Sequence, residues 1–146
     1  MMKIFLGITL LLFTSVSHAW PDARQALDEF LKFELNGGRL SSWDFKKYLV
    51  VDKQFEEPGW DEIHLVQKHH VVEFTCKSEQ CLGRVEVVFE PTRKYVGEQL
   101  VPHPKGGHAL LRYHIVKSGK QWLLTHPGGQ PLVSTTAYQH WKAKHP

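Results

Sequence analysis

Between Val72 and Phe89 the chain alternates apolar and polar residues about a polar centre, Cys76-Lys77-Ser78-Glu79-Gln80-Cys81. Alternation at period two is the mark of a half-buried β-strand, and two such runs joined by a short polar stretch fold back as a hairpin. Setting Cys76 opposite Cys81 places Phe74 against Gly83, Val72 against Val85 and His70 against Val87. Val72, Phe74, Val85, Val87 and Phe89 then share one face, while Glu73 meets Arg84 on the other as an opposite-charge cross-strand pair. A slip of one residue would carry every apolar side chain to the wrong face, so this pattern restricts the fold more than any other.

A second hairpin follows in His108 to His126, with Ser118-Gly119 as the expected two-residue turn. Pairing Lys117 with Lys120 sets Ile115 against Trp122, Tyr113 against Leu124 and Leu111 against His126. Ahead of the strands the period is helical. Asp22 and Gln25 form a capping-box pattern, and Ala23, Ala26, Leu27, Phe30, Leu31 and Phe33 recur at helical spacing. Asn36-Gly37-Gly38 supplies the stop, so Asp22 to Leu35 is expected to be an amphipathic helix. Ser41-Ser42 opens a shorter helix with Trp43, Lys47 and Tyr48 on one face, and Ser134 caps a closing segment, Thr135 to Lys144. This order predicts an α+β fold with helices packed on one face of a curved antiparallel sheet.

The N-terminus points to export. Met1-Met2-Lys3 gives a positive start, Ile4 to Phe13 is an apolar run, and Ser17-His18-Ala19 puts small residues where a signal peptidase reads. The run is shorter than the roughly 20 residues needed to span a bilayer. Residues 1–19 are therefore expected to be a cleaved signal peptide and residues 20–146 a single domain, periplasmic or secreted, with no membrane association after cleavage. In an oxidising compartment the chain's two cysteines, Cys76 and Cys81, are expected to be bonded. The formal charge of +3 includes Lys3 of the leader, and its acids and bases are interleaved, which argues against a nucleic-acid partner.

Four stretches, "FELNGGRL", "EPGWDEIHLV", "YHIVKSGKQWLL" and "GQPLVS", carry a resemblance that covers roughly Asp22 to Trp141. In them the chain resembles the nuclear-transport-factor-2-like superfamily, the cone-shaped (cystatin-like) α+β fold shared with ketosteroid isomerases and scytalone dehydratase. More narrowly, it is similar to small exported bacterial members of that superfamily. The resemblance implies a sheet wrapped around a helix with a pocket at the open end. It brings no catalytic signature.

The chemistry-bearing residues give few motifs. His69 and His70 are adjacent on a strand and point to opposite faces, and His64 and His70 stand about 20 Å apart along an extended chain, so no metal site is expected from them. There is no GxSxG, P-loop or dinucleotide fingerprint, and no cofactor is expected. On the proposed registers Trp43, Tyr48, Trp60, His70, Tyr113, Trp122 and His126 are expected to line the pocket, with the aromatics as walls. An isomerase-like or dehydratase-like reaction on a small apolar molecule would use Tyr113 as donor, His70 or His126 for proton transfer, and Asp44 or Asp61 as the carboxylate. The reading favoured is an exported non-catalytic binding or interaction domain for a small apolar molecule or a protein. A periplasmic immunity protein that neutralises a toxin is an alternative. The outer sheet face would carry Val71, Leu82, Val88, Leu110, Val116 and Leu123, a set that a two-fold homodimer could cover.

Overall fold

The computed structural model describes residues 22–41, 44–50, 60, 62–96, 99–101, 107–127 and 129–145. The expected leader, Trp43, Asp61 and most of the stretch between the hairpins lie outside these residues.

The first helix, α1 (Ala23–Leu35), begins and ends where local chemistry places it. The Asp22 side chain accepts the Gln25 backbone N–H at 3.0 Å, and the Asn36 and Gly37 N–H groups donate to the Lys32 and Glu34 carbonyls at 3.2 and 2.9 Å. Gly37 holds φ at +81°, a left-handed value at which a Cβ is strained. Its inward stripe is Ala23, Ala26, Leu27, Phe30, Leu31 and, unexpectedly, Glu34. The chain then makes a single turn, α2 (Gly38–Ser41), and a 3-10 helix (Asp44–Tyr48), where one short helix opening at Ser41-Ser42 was expected.

The strands are β1 (Glu62–Lys77), β2 (Gln80–Val96), β3 (Gln99–Val101), β4 (His108–Ser118), β5 (Gln121–Leu124) and β6 (Leu132–Ser134). They form one strongly curved sheet in the order β5-β4-β2-β1-β6, with β3 paired to β2. The α+β class is as expected. The sheet is mixed rather than purely antiparallel, because β6 joins β1 in parallel at His64–Val66. The closing helix, α3 (Thr135–Lys144), starts at Ser134, whose Oγ accepts the Ala137 N–H at 3.2 Å.

The first hairpin confirms the Cys76–Cys81, Phe74–Gly83 and Glu73–Arg84 pairs, and the two cysteines form a disulfide. Beyond Glu73 the expected register fails. A β-bulge at Val72 makes Val71, not Val72, the partner of Val85, and His69, not His70, the partner of Val87. One extra residue inverts the alternation on its own strand and leaves the partner strand unchanged. A second irregularity, between Val66 and Lys68, inverts it again, so Val66 faces the same side as Phe74. These shifts bend β1 and help to curve the sheet. In the second hairpin the turn is Gly119-Lys120, with Gly119 at φ +64°. Ser118 pairs with Gln121, so Ile115 faces Leu124 and Lys117 faces Trp122, two residues away from the expected register.

Two cores result. The larger joins α1 and the 3-10 helix to the concave face through Leu27, Phe30, Phe45, Val85, Val87, Tyr113 and Ile115. Gly83 permits the close approach of α1, since a Cβ there would lie 2.5 Å from Leu27 Cδ2. The smaller core sits on the opposite face, where Tyr138 of α3 packs on Ile63, Leu65 and Val133. Leu65 and Val66 are thus both buried, one in each core, and the end of β1 beside β6 is covered on both sides.

Candidate functional site

The concave face is occupied by its own side chains. Tyr113, at the centre of β4, is 0% exposed, and its ring meets Phe30 edge-on at 6.1 Å. Phe30 in turn meets Tyr48 edge-on at 5.8 Å. The Tyr113 hydroxyl is buried without a hydrogen-bond partner among the described residues. Burial holds its pKa well above the usual 10.0; the Glu34 carboxylate adds to the rise and the Arg39 guanidinium offsets part of it.

Glu34 and Arg39 are the charged pair of this interior. Arg39 Nη1 donates to Glu34 Oε1 at 2.8 Å, with the side chains 3% and 1% exposed. Arg39 Nη2 also donates to the Gly129 carbonyl at 2.7 Å, and the Leu132 N–H reaches Glu34 Oε1 at 3.3 Å. One ion pair therefore ties α1, α2 and the approach to β6 together. Reading the sequence by motif missed it, although a signal was present: Glu34 continues the 23-26-27-30-31 stripe, and Arg39 follows within the same "FELNGGRL". The carboxylates weighed for catalysis lie elsewhere. Asp44 is exposed at the start of the 3-10 helix, and Asp61 lies outside the described residues.

The open concavity lies at the side. A groove of about 520 Å³ runs between α1 and β1, bordered by Arg24, Asp28, Lys32, Leu35, His69 and Val71. Arg24 Nε pairs with Asp28 at 3.1 Å, and its guanidinium lies 5.8 Å from the Phe74 ring centre. Desolvation lowers the pKa of His69; Asp28 opposes that shift and His70 reinforces it. The imidazole is therefore neutral near neutral pH, an apolar-tolerant ring rather than a second cation. Among the described residues that border the groove, no nucleophile is paired with an oriented base.

Of the seven residues expected to line one pocket, the six that are described are not brought together. Trp43 lies outside the described residues. Tyr48 is buried in the main core and borders a smaller groove of about 320 Å³. Trp60 packs with the smaller core on the opposite face. His70 turns to the convex face because of the Val72 bulge, where its Nε2 lies 3.1 Å from Glu86 Oε2, and it also borders the α1 groove. Tyr113 is sealed, and Trp122 packs half-buried against the main core. His126 falls beyond the end of β5 and is exposed, its ring 6.3 Å from that of His114. The convex face changes too: Val71 turns inward and Leu123 is only 6% exposed, leaving Val72 and Leu110 as its most exposed aliphatics.

Glu86 lies between two imidazoles, His70 and His108 at 3.1 and 3.4 Å, yet no group of three metal-binding side chains of suitable geometry occurs among the described residues. No protein-family model, curated protein or solved structure matches the chain.

Proposed function

We propose that the protein is an exported, non-catalytic binding domain of nuclear-transport-factor-2-like architecture that recognises its partner at the surface. The burial of Tyr113 carries this reading. A ketosteroid-isomerase-like or dehydratase-like site needs that hydroxyl, a carboxylate and a substrate in one accessible cavity. Here the hydroxyl is buried on a residue that is 0% exposed, and the buried carboxylate nearest in character, Glu34, is engaged by Arg39. The Cys76–Cys81 bond supports residence in an oxidising compartment, and no helix among the described residues is long and apolar enough to cross a membrane. Together with the signal-peptide pattern of residues 1–19, the disulfide supports a periplasmic or secreted protein. A toxin is one partner this reading accommodates.

Two measurements test the proposal. Purified protein is mixed with a β,γ-unsaturated ketone and conjugation is followed by ultraviolet absorbance; no turnover above buffer is expected. Turnover abolished by Tyr113→Phe would overturn the binding reading in favour of the enzyme. Cell fractionation should place the protein outside the cytoplasm with its leader removed and its thiols oxidised.

A further inference from the structure

β1 is an edge strand over most of its length. β2 pairs with it from Glu62 to Lys77, but on the other side β6 reaches only His64–Val66. From Gln67 to Lys77 the outer row of main-chain N–H and C=O groups has no backbone partner among the described residues. Exposed edges are usually blunted by bulges and lysines, because a bare one recruits any passing strand. Both devices are present: irregularities flank Lys68–Val71, and Lys68 and Lys77 stand along the edge. They break the edge into short runs without covering it. Within the run, His69, His70 and Val71 border the α1 groove, whose apolar lining is Leu31, Leu35 and Val71. A free strand edge beside an apolar trough is the arrangement that strand addition uses: main-chain bonds give affinity and alternate side chains enter the trough.

Charge selects the occupant. Two carboxylates near this edge are already paired with arginines, Asp28 with Arg24 at 3.1 Å and Glu73 with Arg84 at 2.6 Å, while Glu86, on β2, lies against His70 and His108. Lys32, Lys68 and Lys77 have no ion-pair partner among the described residues, so the unmet charge is positive. A second copy fits poorly. Full overlap of two antiparallel edges from Gln67 to Lys77 would centre on Val72, setting a bulge against its own image and adding the same lysines to each other. We propose that the edge of β1 and the α1 groove take up an extended, acidic segment of a partner protein as an additional strand. The proposal rests on the binding-domain reading above and specifies the partner's chemistry and mode of contact.

The probe is an acetylated peptide of alternating valine and glutamate, titrated into the purified protein by fluorescence anisotropy, with amide hydrogen exchange read at saturation. Saturable binding is expected, weakened by salt, with new protection confined to the β1 edge and a counterpart of alternating valine and lysine failing to bind. The variant Lys32→Glu/Lys68→Glu, altered only at exposed positions, should bind about tenfold more weakly, as expected when two surface attractions become repulsions. Absence of saturable binding, equal binding of the two peptides, or protection elsewhere would each overturn the proposal. So would a dimer by light scattering whose β1 amides are protected without peptide, which would assign the edge to a second copy. None of these outcomes alters the turnover assay, so this site can fail while the binding reading stands.

Discussion

Replacing Arg39 by methionine tests the claim that one buried ion pair organises the helical side of the domain. The substitution keeps much of the side-chain volume but removes the cation 2.8 Å from a carboxylate that is 1% exposed. It also removes the donor to the Gly129 carbonyl. Breaking a buried pair from one side costs about 3–5 kcal/mol, because the remaining charge stays in a poorly solvating interior. Against a total stability of about 5–15 kcal/mol this is a large share. For a domain of this size it lowers Tm by about 10–20 °C. The cause is isolated by the double variant Arg39→Met/Glu34→Gln. Glutamine keeps an oxygen to accept the Leu132 N–H but carries no charge, so the double variant should regain at least about half of the loss. Urea unfolding followed by circular dichroism reads both variants. A loss below about 1 kcal/mol for Arg39→Met, or a double variant no more stable than the single, refutes the claim that the stranded Glu34 charge causes most of the destabilisation.

Tyr113→Phe removes a buried hydroxyl that has no hydrogen-bond partner among the described residues, so a gain of about 1 kcal/mol is expected in the same unfolding assay; a loss of that size would mean the hydroxyl is bonded. Replacing Cys76 and Cys81 together by serine reopens a loop of sequence separation 5 and should cost about 2 kcal/mol by chain entropy, leaving a folded protein. Intact mass without reductant should show the wild type two hydrogens lighter than its reduced form, and free thiols in exported material would contradict the bond. Because the folded pKa of His69 is lowered, the unfolded chain takes up its proton first, so its contribution to stability is complete above about pH 6.5 and is lost as the pH falls below that value. His69→Asn should flatten this part of the stability–pH profile, and an unchanged slope would show that other groups set it.

The elements that were readable in advance are those whose cause is local. Asp22 and Ser134 cap helices through their own side chains, the Asn36-Gly37 stop needs only a left-handed residue, and the Cys76–Cys81 pairing follows from a few residues on either side of one turn. The α+β class, the first helix, both hairpins and the closing helix came from such signals. The register beyond Glu73 did not, because a bulge leaves no trace in composition. Val71 and Val72 are identical residues, and which one turns inward depends on how the bent β1 meets β2 and α1. That single choice moved His70 from the expected pocket to the convex face and brought His69 to the groove. In the second hairpin, moving the turn by one residue shifted the pairing by two, and His126 fell off the end of β5. The Glu34–Arg39 pair sits between these cases: an acid in an apolar stripe is visible in the chain, but its partner, its burial and the strand approach it anchors exist only once α1, α2 and β6 meet. Periodicity is written along the chain, whereas the occupant of an interior is decided by surfaces that only folding brings into contact.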